Sequence, residues 1–248
     1  MIATGRHGAV SGGVSRFDPH LAELLYTWYC PPGGLVVDPC AGGAVRGLVA
    51  AHLGYRYIGV DLSADQVDAN RALTEGWSER SLLRAWPRWR VGDGRDLIDD
   101  VADAARDVTA GSTDYLLSCP PYHNRERYSD DPCDLSAMTW AGFVDAHARL
   151  VHAAVAALRP DRFATWVISD VRDHRGHYRR LPALAAEHFE RAGCRLVNEQ
   201  ILVAPTGTLR KVMRPAWEAA RTTTRHHQMV LTFVKGDRRA AARAVRGG

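Results

Sequence analysis

Asp38, Asp61 and Asp93 are the first residues whose types and positions suggest chemistry. Asp38 follows a short apolar run typical of a buried strand, Asp61 closes a second predicted strand, and Asp93 follows Gly92 after a third. In an open α/β sheet, ligands bind at the carboxyl ends of the strands. A carboxylate there can accept hydrogen bonds from ribose hydroxyls or from an adenine amino group. For Asp61 or Asp93 alone an ordinary turn is an equal explanation, but three carboxylates at three successive strand ends favour a nucleoside ligand.

The segment 38–44 joins the first of these strands to a helix and is rich in glycine. Gly42 and Gly43 allow a ligand to approach the backbone closely. The Gly-x-x-x-x-Gly-Lys-Ser/Thr pattern of nucleoside-triphosphate loops does not occur in the chain. The segment is therefore expected to hold a nucleoside rather than a triphosphate.

The end of a fourth predicted strand is the most informative stretch, because it reads Ser118-Cys119-Pro120-Pro121-Tyr122. The two prolines fix the backbone and remove two N–H donors. What remains is a rigid set of carbonyl acceptors beside an aromatic ring. A planar base that bears an amino group fits this arrangement, with the ring of Tyr122 stacked on it. A Pro-Pro turn with a core tyrosine is the structural alternative.

Strands that alternate with helices must position these residues, and the pattern predicts a largely parallel sheet in one α/β domain. The last two strands have nothing clearly helical between them, which predicts an antiparallel hairpin with an insertion at about 204–228. The predicted helices are 21–29, 45–53, 64–75, 140–158 and 181–192. The predicted strands are 35–37, 57–60, 89–91, 115–117, 163–169, 196–203 and 229–234.

Composition and charge exclude some classes of binding site and partner. The chain has 248 residues, a mass of 27.3 kDa and a net charge of +4, which permits a nucleic-acid partner without requiring one. Five widely spaced cysteines lack the spacing of a zinc site, so no metal is expected. No apolar run is long enough for a signal peptide or a membrane span. We expect a cytoplasmic protein without membrane contact, either a monomer or a homodimer, with reduced thiols.

Two stretches together carry a family resemblance. Asp38-Pro39-Cys40-Ala41-Gly42-Gly43, followed by Cys119-Pro120-Pro121-Tyr122, resembles the S-adenosylmethionine-dependent DNA methyltransferases that modify adenine N6 or cytosine N4. The first stretch is similar to their cofactor loop, and the second is similar to their catalytic loop. The motif order is the gamma order. Stretches at 129–132, 169–173 and 227–237 are similar to small phage-type DNA methylases.

The resemblance implies a Rossmann-like class I methyltransferase fold with a mostly parallel seven-stranded sheet. It implies S-adenosylmethionine as cofactor, S-adenosylhomocysteine as product, and double-stranded DNA with a flipped base as substrate. The implied catalytic residues are Ser118, Cys119, Pro120, Pro121 and Tyr122. The implied cofactor-binding residues are Phe17, Asp18, Asp38, Cys40, Ala41, Gly42, Gly43, Asp61, Leu62, Asp93 and Gly94. The methyltransferase domain is expected at 17–237, between a flexible arm at 1–16 and a frayed basic tail at 238–248.

Three departures from the family pattern keep alternatives open. Cys40 replaces the usual Phe, Ala44 replaces a glycine, and Cys119 replaces the Asp, Asn or Ser that accepts a hydrogen bond from the target amine. A thiol is a poor acceptor, and Cys119 could instead be the nucleophile of a pyrimidine carbon-5 methylase. Methylation of guanine amino groups in RNA or of a protein amide uses similar loops. A catalytically idle nucleic-acid-binding protein is the remaining alternative.

Loops beside the active site are the expected nucleic-acid contacts, because the sheet motifs occupy most of the chain. The loop 123–138 could close over a base, with Asp130 and Asp131 capping or pairing within the chain rather than contacting DNA. The insertion at 204–228 contains Trp217, and Glu218 is its only acid. His147 and His152 are expected on a helix surface. The predicted nucleic-acid-binding residues are Arg125, Arg127, Arg210, Lys211, Arg214, Arg221 and Arg225.

Overall fold

A computed structural model describes residues 16–97, 108–203, 209–223 and 225–247, with only the backbone of 209–213. Helices and strands alternate over these residues, as the apolar periodicity predicts. The helices are α1 (Pro19–Tyr29), α2 (Val45–Leu53), α3 (Ala64–Glu79), α4 (Trp140–Ala157), α5 (Leu181–Arg191), α6 (Leu209–Ala220) and α7 (Arg238–Val245). The strands are β1 (Leu35–Asp38), β2 (Arg56–Asp61), β3 (Arg88–Val91), β4 (Thr113–Ser118), β5 (Leu158–Ile168), β6 (Cys194–Val203) and β7 (His227–Lys235).

The described strands form one seven-stranded sheet in the order β3-β2-β1-β4-β5-β7-β6. β7 is antiparallel to both of its neighbours, β5 and β6, and the pairs from β3 to β5 are parallel. The predicted α/β class, the mostly parallel sheet and the C-terminal antiparallel hairpin are therefore confirmed. The chain moves outward in one direction from β1 to β3 and returns to the other side of β1 with β4. The switch point therefore lies between β1 and β4, where α/β sheets form their ligand crevice.

Two apolar layers cover the faces of the sheet. On one face, α4 and α5 pack with Phe143, Trp166 and Phe189 buried, and the rings of Phe189 and Phe233 stack at 4.1 Å. On the other face, α1 and α2 pack around buried side chains that include Tyr26. Full burial of each such side chain stabilises the fold by roughly 1.5–3 kcal/mol. The two layers hold the carboxyl ends of β1 and β4 in fixed relation.

The insertion differs from its prediction, because α6 lies within 204–228. Pro215 lies inside α6, and a proline in a helix interior removes a backbone hydrogen bond. That residue hid the helical pattern from sequence analysis.

The basic tail also differs from its prediction, since it forms α7 instead of a frayed end. Asp237 caps α7 by accepting a hydrogen bond from the Ala240 N–H at 2.7 Å. Ala241 is completely buried, and the helix packs on β5, β7 and α1. The small alanine side chains allow this close packing, although the polar composition of the tail concealed it. The predicted flexible arm lies almost wholly outside the described residues, which begin at 16.

His147 is buried, contrary to the prediction of a surface position, whereas His152 is exposed as expected. Trp166 Nε1–H donates to His147 Nε2 at 3.2 Å, which assigns the proton of His147 to Nδ1. That proton is donated to His188 Nδ1 at 2.8 Å. Burial lowers the pKa of His147 to about 3 and also lowers the pKa of His188, so both rings are neutral in the fold.

No helix among the described residues is both long enough and apolar enough to cross a lipid bilayer.

Candidate cofactor and catalytic site

Asp38 ends β1 and its side chain is completely buried. Its Oδ1 accepts hydrogen bonds from the Cys40 N–H at 3.2 Å and from the Ser118 hydroxyl at 2.6 Å. Its Oδ2 accepts from Arg46 Nε at 2.6 Å and from the Tyr57 hydroxyl at 2.8 Å. A carboxylate offers about four acceptor positions, and these four contacts fill them. Asp38 therefore positions the site and has no acceptor position left for direct contact with a cofactor.

Arg46 is a site residue that sequence analysis missed. Its side chain is only 6% exposed, and its Nη2 donates to the carbonyls of Cys40 at 2.8 Å and Ala41 at 2.9 Å. Burial opposes its charge, but the adjacent Asp38 carboxylate outweighs burial and raises the pKa of Arg46. The only sequence signal was an arginine early in an otherwise apolar helix. We call Asp38, Arg46, Tyr57 and Ser118 the Asp38 network.

Phe17 and Asp18 lie where the chain enters α1. The Arg46 guanidinium lies 4.7 Å from the centre of the Phe17 ring, which places this ring beside the Asp38 network. Asp18 caps α1, since its Oδ1 accepts the His20 N–H at 2.8 Å. Phe17 thus contacts Arg46, its cofactor contact stays a prediction, and the Asp18 carboxylate is used by the helix.

Asp61 ends β2 and holds the glycine-rich loop. Its Oδ2 accepts the Gly42 N–H at 2.8 Å and its Oδ1 accepts the Ser63 N–H at 2.9 Å. About two further acceptor positions remain on the carboxylate. Burial raises the pKa of Asp61, although the two backbone N–H groups oppose this rise. The Asn70 amide fixes the other side of the loop by donating to the Gly42 carbonyl at 2.7 Å.

Open space lies in front of the two loop glycines. A Cβ added at Gly42 or Gly43 would meet no atom within 4 Å, and Gly42 has a φ of +51°. The adjoining side chains differ in exposure, since Ala41 is buried while Cys40 and Leu62 are half-buried. The loop therefore presents its backbone on a surface that a ligand can approach.

Asp93 follows β3 and is tied to Arg95. Both carboxylate oxygens accept from the Arg95 guanidinium, and Oδ1 also accepts the Arg95 backbone N–H at 2.9 Å. Burial alone would raise the pKa of Asp93, but the hydrogen bonds from Arg95 hold it below its usual value. An adenine amino group at Asp93 must therefore compete with or displace Arg95.

Gly94 follows Asp93 and lies directly against the β1 loop. A Cβ at Gly94 would be 2.2 Å from the Pro39 carbonyl oxygen, so only glycine fits there. The ends of β1 and β3 are thereby in backbone contact.

The catalytic-loop candidates follow β4 directly beside the β1 loop. Ser118 is buried and donates its hydroxyl proton to Asp38, and Pro120 is buried behind it. The Cys119 Sγ lies 3.1 Å from the Tyr122 hydroxyl oxygen. Burial raises the pKa of the Cys119 thiol, so it is neutral, whereas a reactive nucleophile needs a thiolate. This argues against the carbon-5 alternative and leaves Cys119 and Tyr122 as a neutral pair, with Pro121 half-buried between them.

His123 anchors the end of this loop and was also missed from sequence. It has a φ of +50°, and its Nε2 lies 3.1 Å from the Met138 carbonyl oxygen. Its ring packs edge-on against Trp140 at 5.3 Å and Phe143 at 5.2 Å. Burial lowers the pKa of His123, and the charge of Arg179 acts in the same direction. The backbone after Tyr122 is therefore fixed by a packed, largely neutral imidazole.

The two predicted nucleic-acid contacts in the loop 123–138 are both exposed. Arg127 pairs with Asp130 at 2.5 Å, and no such pair involves Arg125 among the described residues. Asp131 accepts the Cys133 backbone N–H at 2.7 Å. Asp130 and Asp131 thus pair or cap within the chain as predicted, at exposed positions, and the absence of a DNA contact stays a prediction.

Three of the predicted nucleic-acid contacts in the insertion have contacts within the protein. Arg214 pairs with Glu218 at 2.8 Å, and the Arg221 guanidinium lies 5.4 Å from the Trp217 ring centre. Arg225 lies 5.7 Å from the ring centre of Tyr178. Arg210 and Lys211 belong to α6, but their side chains fall outside the described residues.

Comparison with known proteins gives a fold. No protein-family model matches the chain, and no curated protein does. The chain is similar to TrmN from Thermus thermophilus, with 18% identity, a TM-score of 0.54, and coverage of 88% of this chain and 48% of TrmN. It thus spans about half of that protein.

Two further structures resemble it. One is a SAM-dependent methyltransferase from Methanosarcina mazei, with 10% identity, a TM-score of 0.55, and coverage of 84% and 95% of the two chains. The other is the [4+2]-cyclase SpnF, with 13% identity, a TM-score of 0.57, and coverage of 92% and 88%. A cyclase among these similar structures illustrates that a fold does not set the reaction. The chain has the Rossmann-like fold of the class I methyltransferases.

Proposed function

We propose that the protein is an S-adenosylmethionine-dependent methyltransferase that acts on an exocyclic amino group of a DNA base, adenine N6 or cytosine N4. The observation that carries this proposal is the 2.6 Å hydrogen bond from Ser118 to Asp38. It joins the ends of β1 and β4, so the glycine-rich loop and the Cys119–Tyr122 loop lie side by side at the switch point. A nucleoside cofactor on the first loop would then face an acceptor base on the second.

The residues present fit this cofactor. Asp61 retains acceptor positions for two ribose hydroxyls, and open space lies before Gly42 and Gly43. Asp93 is available to an adenine amino group only in competition with Arg95. S-adenosylmethionine supplies an electrophilic methyl group on a sulfonium.

The residues of the chain hold the target amine in position and do not act as acid or base. The two prolines leave backbone carbonyls without neighbouring N–H donors, so that they can accept the hydrogens of an amine. The Tyr122 ring offers a surface for stacking. Cys119 is neutral, and the Asp38 carboxylate is already saturated. With neither of them acting as a base, we infer direct attack by the amine, with its proton passing to solvent, so that positioning supplies most of the rate.

DNA is the proposed substrate, and the insertion is the proposed contact to its backbone. RNA is the second candidate, favoured by one comparison. The chain resembles a structure described as a putative RNA methyltransferase from Pyrococcus horikoshii, with 14% identity, a TM-score of 0.50, and coverage of 88% and 81% of the two chains. An exocyclic amino group of an RNA base would use the same loop in the same way.

Nucleoside analysis tests the proposal. DNA and RNA are each incubated with the protein and S-adenosylmethionine, digested, and examined by mass spectrometry. We expect N6-methyladenine or N4-methylcytosine from DNA. Amino-methylated nucleosides from RNA alone would select the second candidate, and no product from either would reject both. Calorimetric titration with S-adenosylmethionine separates an enzyme from an idle binder.

Two variants of Tyr122 test the role of its ring. Tyr122→Ala should abolish turnover while leaving cofactor binding nearly intact. Tyr122→Phe removes only the contact to Cys119 and should retain activity, because the stacking surface remains. Equal loss in both variants would show that the hydroxyl, and not the ring, is required.

A further inference from the structure

An aromatic and cationic cluster lies beside the catalytic loop and is distinct from the insertion helix. We call Arg172, Tyr178, Arg179 and Arg225 the arginine cluster. The Arg172 guanidinium lies 3.8 Å from the centre of the Tyr178 ring, and that of Arg225 lies 5.7 Å from the same centre. Arg172 also donates to the Thr223 carbonyl at 3.4 Å. The loop before α5 and the segment before β7 therefore share one cluster.

Arg179 connects this cluster to the catalytic loop. Its guanidinium lies 4.6 Å from the centre of the Trp140 ring, and the Trp140 ring contacts His123 at 5.3 Å. His123 directly follows Tyr122 in the chain. Two ring contacts and one peptide bond thus connect the Arg179 guanidinium to Tyr122, the residue proposed to stack on the target base.

No described carboxylate pairs directly with a guanidinium of the cluster, although the charge of Arg179 helps to lower the pKa of Asp173. Within the described part of the chain, Arg172, Arg179 and Arg225 form no ion pair within 4.0 Å. The two carboxylates of the loop before α5, Asp170 and Asp173, accept hydrogen bonds from backbone N–H groups instead. Asp170 accepts the N–H groups of Val171 and Leu181. Asp173 accepts those of Arg175 and His177.

Two guanidinium groups also hold unused donors. The Nε atoms of Arg179 and Arg225 are shielded from solvent and have no hydrogen-bond partner among the described residues. Buried donors are normally paired, and an unpaired one destabilises the fold. Both side chains are nevertheless only half-buried, so a ligand with several strong acceptors and negative charge can approach them from solvent. Arginine matches the geometry of phosphate through two parallel hydrogen bonds.

We propose that Arg225, which shares the Tyr178 ring with Arg172, and Arg179, which lies over the Trp140 ring, bind backbone phosphates of the nucleic acid next to the target nucleotide. This rests on the proposed function and adds an anchor separate from Arg125 and Arg127, one that reaches the catalytic loop through Trp140 and His123. A nucleotide extruded from a duplex needs its flanking phosphates held, because extrusion breaks stacking and pairing. The exposed ring of Tyr178 completes a surface suited to a nucleotide.

Salt-dependent DNA binding tests this site without methyl transfer. A fluorescent double-stranded oligonucleotide is titrated by anisotropy over a range of KCl concentrations. Arg179→Gln and Arg225→Gln should each weaken binding and lower the log–log salt slope by about 0.9. Arg191→Gln is the matched control, since Arg191 is an exposed arginine at the far end of α5 that pairs with Glu187 at 3.8 Å. It should change neither quantity.

The outcomes separate this site from the proposed function. If both Gln variants bind DNA with the wild-type affinity and slope, the site is refuted, even if nucleoside analysis finds methylated DNA. If the slopes fall but no methylated base forms, the phosphate site stands and the proposed reaction fails. A slope that falls for single-stranded RNA and not for duplex DNA would overturn the duplex assignment.

Charge-preserving variants keep the test decisive if the Gln variants do not fold. Arg179→Lys and Arg225→Lys retain one positive charge each but cannot form the paired hydrogen bonds of a guanidinium. They should keep the wild-type salt slope and bind DNA more weakly. Wild-type affinity in both Lys variants would refute the paired phosphate contact.

Discussion

The Asp38 network makes a strong prediction about stability. Asp38→Asn replaces a carboxylate that accepts four hydrogen bonds with an amide that has two acceptor positions and two donors. Whichever way the amide points, its NH2 group faces donors from the protein. The change also leaves the Arg46 charge buried without its partner.

The size of the effect follows from that burial. Removing one partner of a buried ion pair costs about 3–5 kcal/mol, because an uncompensated charge remains. For a chain of this length each kcal/mol lowers Tm by about 2–4 °C, so we expect a fall of about 6–20 °C. This is a large part of the roughly 5–15 kcal/mol that stabilises a domain.

Urea unfolding followed by circular dichroism measures this loss. Asp68→Asn is the control, since Asp68 is an exposed carboxylate that pairs with Arg71 on α3, and its removal should change stability by less than about 0.5 kcal/mol. The double variant Asp38→Asn/Arg46→Met should lose less than the sum of the two single changes. A loss of under about 1 kcal/mol for Asp38→Asn, the size of a surface ion pair, would refute the reasoning.

Four further predictions concern the cofactor, the thiol, pH and salt. Asp61→Ala should weaken S-adenosylmethionine binding about tenfold or more in calorimetry, since a hydrogen bond to a charged group contributes about 1.5–3 kcal/mol; unchanged affinity would reject the ribose contact. Cys119→Ser should keep methyl transfer, and a covalent complex trapped on a fluoropyrimidine substrate would instead establish a nucleophile. The pKa values of His147 and His188 are lower in the folded protein than in the unfolded chain. The stability that their neutral rings contribute to the fold is therefore complete above the unfolded pKa of about 6.5 and is lost as pH falls. Urea unfolding between pH 7.5 and pH 5.5 should show this loss, and His147→Gln should flatten it. Replacing Arg210, Lys211 and Arg214 with Ala should weaken DNA binding and lower the log–log salt slope by about one per lost contact. Cofactor affinity should not change. An unchanged slope would show that the insertion does not contact DNA.

The positions of the site loops were predictable from local pattern, whereas their internal contacts were not. A short apolar run followed by an acid marks a strand end, and this placed Asp38, Asp61 and Asp93 correctly. The same pattern is produced whether the acid faces a ligand or the protein interior. The partners of Asp38 come from three other elements, and Ser118 is 80 residues away in the chain.

The remaining failures also have physical causes. Arg46 was missed because its partner, Asp38, lies at the end of β1, outside the helical repeat of α2. Pro215 concealed α6, and the arginine-rich composition of α7 concealed its buried alanine face. The sequence could not show that the Nε donors of Arg179 and Arg225 lack partners, because this depends on the groups that surround each guanidinium in the fold.

The contact of Gly94 with Pro39 has a consequence for the speed of ligand binding. The two loop backbones touch, and the β1 loop is also held by Asp61, Asn70 and Arg46. A loop fixed in this way has no slow rearrangement to complete after a ligand arrives. In stopped-flow experiments the observed rate of cofactor association should therefore rise linearly with cofactor concentration. Gly94→Ala must separate the loops, and the rate should then reach a plateau set by their closure.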